Sequence, residues 1–299
     1  MENPLVVDVL CVGNASYDMV FRVDHHPGED EKMVADNFTC CGGGPAGNAA
    51  VAVARLGFKA AFAGYLGSDV FGDLYLQELV MEGVDTSLVV RGSDPTPVSS
   101  VLVKPDGMRS LVNYRGSTPH LPEDRLDFSR IEPNVILFDG HEPNISPPLV
   151  RSAKEKGIPT ILDAGSVHAG TQALAPIVDY LVCSEKFARE YTGETDETNA
   201  LAVLRTKVPT VVITLGSHGL IWATNDETGR LPAYAVDVVD STGAGDVFHG
   251  AFAACVAQGK GWRETLEYAG AAAALCCTKA GARPGIPTRA EVERFLFSR

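Results

Sequence analysis

Nowhere in these 299 residues do basic side chains cluster: 25 lysines and arginines face 38 aspartates and glutamates, for a net charge of −13. A nucleic-acid surface of any size is therefore not expected, because such a surface works by releasing counterions from phosphates. Long apolar runs are missing too. Ala271–Cys277 is apolar but far short of the roughly 20 residues that cross a bilayer. The first residues show neither a basic n-region nor an apolar h-region, so no signal peptide is expected. Cysteines are present but not as a framework. The seven (Cys11, Cys40, Cys41, Cys183, Cys255, Cys276, Cys277) are odd in number, include two vicinal pairs and form no CxxC. Disulfides and a zinc site are disfavoured, and a reducing cytoplasm is the expected location.

What is present is alternation. Apolar runs at Leu5–Val12, Ala60–Gly64, Val135–Asp139, Thr160–Asp163, Tyr180–Cys183 and Val211–Leu215 read as short buried strands. Helical patterns lie between most of them, among them Asn48–Leu56 and Val70–Glu82, and helices Phe248–Ala257, Arg263–Thr278 and Ala290–Phe297 close the chain. Thr288 and Glu291 have the spacing of a capping box. Strand–helix alternation predicts an α/β fold with a mainly parallel, doubly wound sheet, read here as one domain over 1–299. Val20–Val23, Met33–Cys40, Val98–Val103 and Ser110–Tyr114 do not alternate with helices. They suit a small β-lid inserted at about 19–40 and 97–115. Its free edges and apolar residues such as Val34 and Phe38 predict a homodimer through the lid.

Three glycine-rich sites stand far apart in the chain: 42–48, 214–219 and 240–246. In an open α/β sheet, loops at the carboxyl ends of strands converge on one crevice. In the third, Asp240-Ser241-Thr242-Gly243-Ala244-Gly245-Asp246 runs straight into an apolar, small-residue helix. Helix-start N–H groups are unpaired and carry partial positive charge, so bare glycines there make an anion site. A carboxylate beside an anion site needs a reason, and a general base for a hydroxyl attacking phosphorus supplies one. The plainer reading makes Asp240 a turn residue and Asp246 a helix cap.

Taken together, these segments resemble the PfkB-type carbohydrate kinases, the ribokinase family. The resemblance runs from Gly13 to Pro287, through Gly13–Asp18, Gly42–Asn48, Gly64–Asp69, Thr214–Gly219, Asp240–Asp246 and Thr278–Ala282. Segments 236–250 and 281–287 look closest to the sulfofructose kinase and ketohexokinase branches. The resemblance implies a ribokinase-like fold and an ATP-dependent sugar kinase, with a ketohexose favoured as substrate. Asp246 would be the base, and Gly243, Ala244 and Gly245 the anion hole. Asp18 and Asn48 would hold sugar hydroxyls, with Gly43 and Gly44 letting the sugar approach the backbone. Arg109, Asn113 and His141 would also face the substrate. Ser184, Thr214, Gly216, Gly219 and Cys276 would line the nucleotide. Asp240, Thr242, Cys276, Lys279 and Gly281 would surround a monovalent cation, expected to be K⁺, largely through backbone carbonyls. Mg²⁺ would enter with ATP.

The chain departs from the family pattern in three places. Ser184-Glu185-Lys186-Phe187 stands where an Asn-x-x-Glu motif is common, leaving Glu185 as the candidate Mg²⁺ residue. Pro45 replaces a frequent lysine. His141 stands near the place of a sulfonate-holding arginine, and an imidazole cannot make a guanidinium's bidentate fork. Four other readings stay open: a sugar-binding regulator without strong catalysis, a nucleoside kinase, a sugar-phosphate kinase, and a nucleotide-cofactor oxidoreductase. Against the last, no G-x-G-x-x-G follows the first strand.

Overall fold

β1 (Leu5–Val12) is apolar on both faces because it is covered on both. Val9 and Cys11 point into one core, Leu10 and Val12 into the other. The computed structural model describes residues 3–298. After β1 the chain makes β2 (Ser16–Arg22), β3 (Asn37–Gly43), α1 (Pro45–Arg55), β4 (Ala60–Gly67), α2 (Val70–Met81) and β5 (Asp85–Gly92). A second hairpin, β6 (Val98–Val103) and β7 (Arg109–Tyr114), precedes β8 (Ile131–Phe138). Then come α3 (Ser146–Glu155), β9 (Thr160–Ala164), α4 (Ala169–Leu174), β10 (Tyr180–Ser184), α5 (Glu185–Thr192), α6 (Glu197–Arg205) and β11 (Thr210–Thr214). β12 (Leu220–Ala223), β13 (Thr228–Leu231), α7 (Ala244–Ala257), α8 (Trp262–Cys276), α9 (Ala282–Gly285) and α10 (Arg289–Phe297) complete it.

Nine strands form one sheet in the order β13-β12-β11-β10-β9-β8-β1-β4-β5, parallel except for β12, which runs antiparallel to both β11 and β13. From β1 the chain first winds outward through β4 and β5, then returns to β8 on the other side. The reversal falls between β1 and β8, and ligands in such sheets bind at the carboxyl ends of the strands flanking it. The other four strands form a separate sheet, β3-β2-β6-β7.

Small residues set the geometry around the site. α1 buries Ala46, Gly47, Ala49, Ala50 and Ala52, and α7 buries Gly250, Ala251, Ala253 and Ala254. A Cβ on Gly250 would lie 2.6 Å from the Ala49 carbonyl oxygen. The two helices pack backbone to backbone, and their N-termini end up side by side.

Three expectations need correction. The strand expected at Met33–Cys40 begins only at Asn37 and runs on to Gly43, so Gly42 and Gly43 are strand residues opposite Tyr17 and Ser16. Val34 sits in the preceding loop, 91% exposed, and offers nothing to a strand edge. β5 and β13 are the sheet's two edge strands, and β12 lies just inside β13. β5 and β13 are at most half apolar, and β12 is only four residues long, so no strand was expected there. The capping box at Thr288 and Glu291 is present.

Candidate active site

Asp246 sits in the first turn of α7, and its Oδ2 accepts a hydrogen bond from the Asn48 side-chain amide at 2.7 Å. These residues are 198 positions apart in sequence. Gly243 starts the helix with φ +79°, and a Cβ there would strike Ala282 at 2.7 Å. At Gly245 a Cβ would meet nothing within 4 Å. The Ala244 N–H lies 3.3 Å from the Ser241 carbonyl oxygen, and the helix start borders free space at Gly245. Burial, and then the charge of Asp163, push the Asp246 carboxyl up to about 7; the Asn48 hydrogen bond pulls it back. A carboxyl in that range is matched to taking a proton at neutral pH.

Sequence reasoning missed Asp163, Asp139 and Arg283. Asp163 lies on β9, and burial, with Asp139 adding, lifts it well above the usual carboxylate range. His249 Nδ1 is 3.3 Å from its carboxylate and 2.6 Å from the Gly245 carbonyl oxygen, and Nε2 is 3.1 Å from the Val182 carbonyl oxygen. So His249 is a packing residue, as its helix position suggests, and it ties the start of α7 to β10. Asp139 follows β8 at the switch point. It accepts from the backbone N–H of Asn14 (2.7 Å), Ala46 (3.2 Å) and His141 (2.8 Å), which joins β1, α1 and β8 at one carboxylate.

Arg283, on α9, is 1% exposed. Its Nε donates to Asn48 Oδ1 at 2.9 Å, which leaves the Asn48 nitrogen to face Asp246. Nη2 donates to the Tyr75 hydroxyl (2.9 Å), which in turn donates to the Gly43 carbonyl (2.6 Å). Nη1 is 3.1 Å from Glu78, whose other oxygen accepts from the Gly42 N–H at 2.6 Å. The only signal for this in the sequence is an arginine between apolar and small residues just before the last helix.

Asp18 is buried on β2, accepts from the Ser16 hydroxyl at 3.0 Å and bonds Ser99. Burial raises its carboxyl above the usual range. Asp18, Ser99 and Asn113 form one row across β2, β6 and β7, so all three face the same side. Arg109, four residues from Asn113 on β7, shares that face and pulls on both Asp18 and Asp246 electrostatically. The same face forms a cleft with Asp240, Ala280 and Gly281, to which β2 and β3 contribute Val20, Arg22 and Thr39.

At Gly43 and Gly44 a side chain would collide with the protein's own groups. A Cβ on Gly43 would fall 2.1 Å from the Asp18 carboxylate, and one on Gly44 (φ +84°) 2.5 Å from the Asn14 carbonyl. They make room for the protein's own groups.

Asp240 clamps the loop ahead of α7 onto the loop after α8. Its Oδ1 accepts from Thr242 N (2.9 Å) and Oγ1 (2.6 Å), and its Oδ2 from Gly281 N (2.8 Å). The Cys276 thiol lies 3.7 Å from the Thr242 carbonyl oxygen and 3.9 Å from that of Ala282. The Lys279 side chain turns away to Glu291, 3.1 Å distant. Ser184 and Thr214 are register partners at the ends of β10 and β11. Gly216 (φ +56°) is open, whereas Gly219 (φ +86°) is closed, because a Cβ would meet the Leu231 carbonyl at 2.0 Å.

The family model described as pfkB family carbohydrate kinase matches residues 7–289. The chain belongs to that family.

Its relatives agree with the fold of the site. The kinase is 29% identical over 298 residues to a ribokinase of Haemophilus influenzae, covering 95% of this chain and 97% of that one. It is 31% identical over 287 residues to fructokinase-1 of Oryza sativa subsp. japonica, covering 86% and 88%. The solved structure of Arabidopsis thaliana ribokinase complexed with ribose and ATP superposes with a TM-score of 0.83 at 28% identity, covering 99% of each chain. The enzyme is a carbohydrate kinase on a ribokinase-like fold, and the oxidoreductase reading falls with that.

One departure from the family pattern is structural. Phe187 is fully buried and stacks on Tyr191 with centroids 5.1 Å apart. Ser184 caps α5, accepting from Phe187 N at 3.0 Å. Glu185 is on the outer face of that helix and pairs with Arg189 at 2.7 Å. The stretch 184–187 thus presents no free carboxylate to a metal.

Proposed function

We propose that this kinase moves the γ-phosphoryl group of ATP to a primary hydroxyl of a small sugar, a ketohexose ahead of a pentose. The observation that carries the reading is the Asn48–Asp246 contact beside the open backbone at Gly245. The sugar hydroxyl donates to Asp246. As its oxygen attacks the γ-phosphorus in line, the new P–O bond forms, the bond to the bridging oxygen of ADP breaks and the proton passes to Asp246. The N–H groups of 243–245 take the charge on the equatorial oxygens, a contribution of about 3 kcal/mol per donor in comparable sites. Asp18 and Asn48 hold neighbouring hydroxyls, and the β3-β2-β6-β7 sheet keeps water out. Thr214, Gly216 and Ser184 line the nucleotide's side, and ribose and ATP in the Arabidopsis relative support both ligand classes. The ketohexose preference rests on the branch resemblance, and fructokinases stand among the relatives.

The residues at 184–187 do not fit a protein-held Mg²⁺, so the metal's ligands are left to the ATP phosphates. A monovalent cation fits better at the Thr242 and Ala282 carbonyls, which converge on Cys276 beside the buried Asp240. There it would supply fixed positive charge behind the anion hole. A homodimer would use the other face of the small sheet, where Phe38, Val112 and Tyr114 are 53%, 70% and 58% exposed.

The test is ADP release with Mg-ATP and K⁺ across sugars, nucleosides and sugar phosphates, with Asp246→Asn beside the wild type. A substrate whose turnover drops about 10²–10⁴-fold in the variant, with sugar binding kept, supports the base. A variant as fast as the wild type removes it. One observation, the buried Phe187, favours a second reading, a sugar-binding regulator. That reading takes over when sugars bind and none turns over.

A further inference from the structure

We propose that Arg283 is a positioning residue for the transfer: its buried guanidinium fixes which end of the Asn48 amide meets Asp246, and ties the base to the same anchor as strand β3. The inference rests on Asp246 as the base of the sugar-kinase reading and deepens that site. An asparagine side chain has two orientations of nearly the same shape, one offering the amide nitrogen and the other the oxygen. An ionised Asp246 can only accept a hydrogen bond, so it needs the nitrogen. An arginine can only donate. Arg283 Nε donates to Asn48 Oδ1 at 2.9 Å, and the Asn48 nitrogen then donates to Asp246 Oδ2 at 2.7 Å. The amide is locked between a group that cannot accept and a group that cannot donate.

Arg283 is itself held on several sides. Arg55 Nη1 donates to the Arg283 carbonyl at 2.6 Å and to that of Ile286 at 3.1 Å, and Arg55 Nε is anchored on Glu82 at 2.8 Å. Arg283 Nη2 donates to the hydroxyl of the buried Tyr75. Nη1 lies 3.1 Å from Glu78 but is too poorly aligned for a hydrogen bond, so that contact is one of charge. Both partners lead on to β3. The Tyr75 hydroxyl donates to the Gly43 carbonyl, and Glu78 accepts from the Gly42 N–H. Gly43 in turn packs against Asp18, the acid assigned to the sugar. One guanidinium thus sets the partner of the base and the end of β3 in a common frame. Filling space does not require this. Burying an arginine is costly, and apolar side chains of similar volume often fill a core with equal or better stability. What an apolar chain lacks is the donor at Nε.

The experiment uses three substitutions that differ at the place of that atom. Arg283→Gln puts an amide nitrogen there, Arg283→Met a methyl and Arg283→Lys a methylene, and only the Lys variant keeps the charge. The Asp246 carboxyl is titrated by carbon NMR, which needs no substrate, and kcat and KM are measured with fructose and Mg-ATP. A hydrogen bond donated to a carboxylate favours its charged form. Loss of the fixed Asn48 donor should therefore raise the Asp246 midpoint by about one unit in the Met and Lys variants. Their kcat should fall at least about tenfold, with KM for ATP unchanged. The Gln variant should stay near the wild type in both readouts, although its melting temperature falls as that of the Met variant does. The other groups that act on Asp246 (Asp163, His249, Arg109 and the Cys276 thiol) are intact in all three. Where the Met variant does not fold, the Lys variant takes its place. One midpoint and one kcat shared by all three variants overturn the proposal, and so do losses that simply follow melting temperature. A Lys variant equal to the wild type also overturns it, because charge alone would then suffice. Where fructose is not turned over, the titration decides. Full turnover by Asp246→Asn removes the base reading, whereas equal midpoints beside an inactive Asp246→Asn keep the base and sink the alignment.

Discussion

Two glycine-rich segments enter two small-residue helices, Gly42–Gly47 at α1 and Gly243–Gly245 at α7, and in sequence they look alike. In space they are opposites. The first is packed solid: a Cβ at Gly42 would meet Arg283 (2.8 Å), at Gly43 Asp18 (2.1 Å), at Gly44 the Asn14 carbonyl (2.5 Å) and at Gly47 the Tyr75 hydroxyl (1.7 Å). The second is closed at Gly243 by Ala282 but open at Gly245. Glycine at α1 admits the protein's own charged and aromatic groups. Glycine at α7 leaves backbone donors free for something the protein does not contain.

The strongest way to break that contrast is to empty the first loop. Arg283→Met removes the group that fills Gly42, leaves Glu78 without its partner and frees Asn48 Oδ1. Stripping one side of such a buried pair costs about 3–5 kcal/mol, and the partial exposure of Glu78 puts this case at the low end. A melting temperature lowered by several degrees is expected, with the Lys variant recovering part of it. An unchanged melting temperature would show that the loop does not depend on its filling.

Matched alanine substitutions sharpen the comparison. Gly43→Ala forces a methyl into the Asp18 carboxylate and should destabilise by about 1–3 kcal/mol. Gly245→Ala enters empty space in a helix, where alanine is favoured over glycine by up to about 1 kcal/mol, so stability should hold or rise. Its kcat should nevertheless fall at least about tenfold, because the methyl crowds the donors. Denaturant midpoints and turnover measured side by side give the pattern: stability lost at 43, activity lost at 245. The reverse pattern would reassign the anion hole.

These pairs also show what the sequence can reveal. The alternation of strands and helices, the helix start at 243–246 and the pairing of 98–103 with 109–114 are local patterns, and each is legible. Asp246 is named by its place at that helix start, whereas Asp18 and Asn48 are named only by the family resemblance. Arg283, Asp139 and Asp163 could not be named. Their roles depend on partners up to 235 residues away, and no local spacing encodes a hydrogen bond from residue 283 to residue 48. The edge strands β5 and β13 were illegible for a related reason. A half-covered edge needs neither a continuous apolar run nor strict alternation, so its sequence resembles a loop. Gly43 and Gly44 show a pattern legible as glycine-dependent whose packing partners, Asp18 and the Asn14 carbonyl, the sequence does not name.

The smallest expected effect concerns Asp163, the buried acid that supplies part of the lift on Asp246. The base must be ionised to accept a proton, so the rate should fall below the Asp246 value of about 7, approaching tenfold per pH unit on the acid side. Burial is the larger cause of that value and would survive any change at 163. Asp163→Asn removes only the like charge. Carboxylates that raise each other titrate as a pair, and taking one away lets the other ionise at lower pH. The acid limb of kcat/KM should therefore move down by up to about one unit, leaving the variant more active than the wild type, relative to its own maximum, at pH 6. The neutral His249 ring still has an N–H for the Gly245 or the Val182 carbonyl in that variant, so the start of α7 stays packed. A limb that does not move would mean that burial alone sets the base, and that Asp163 serves only to hold His249 under the anion hole.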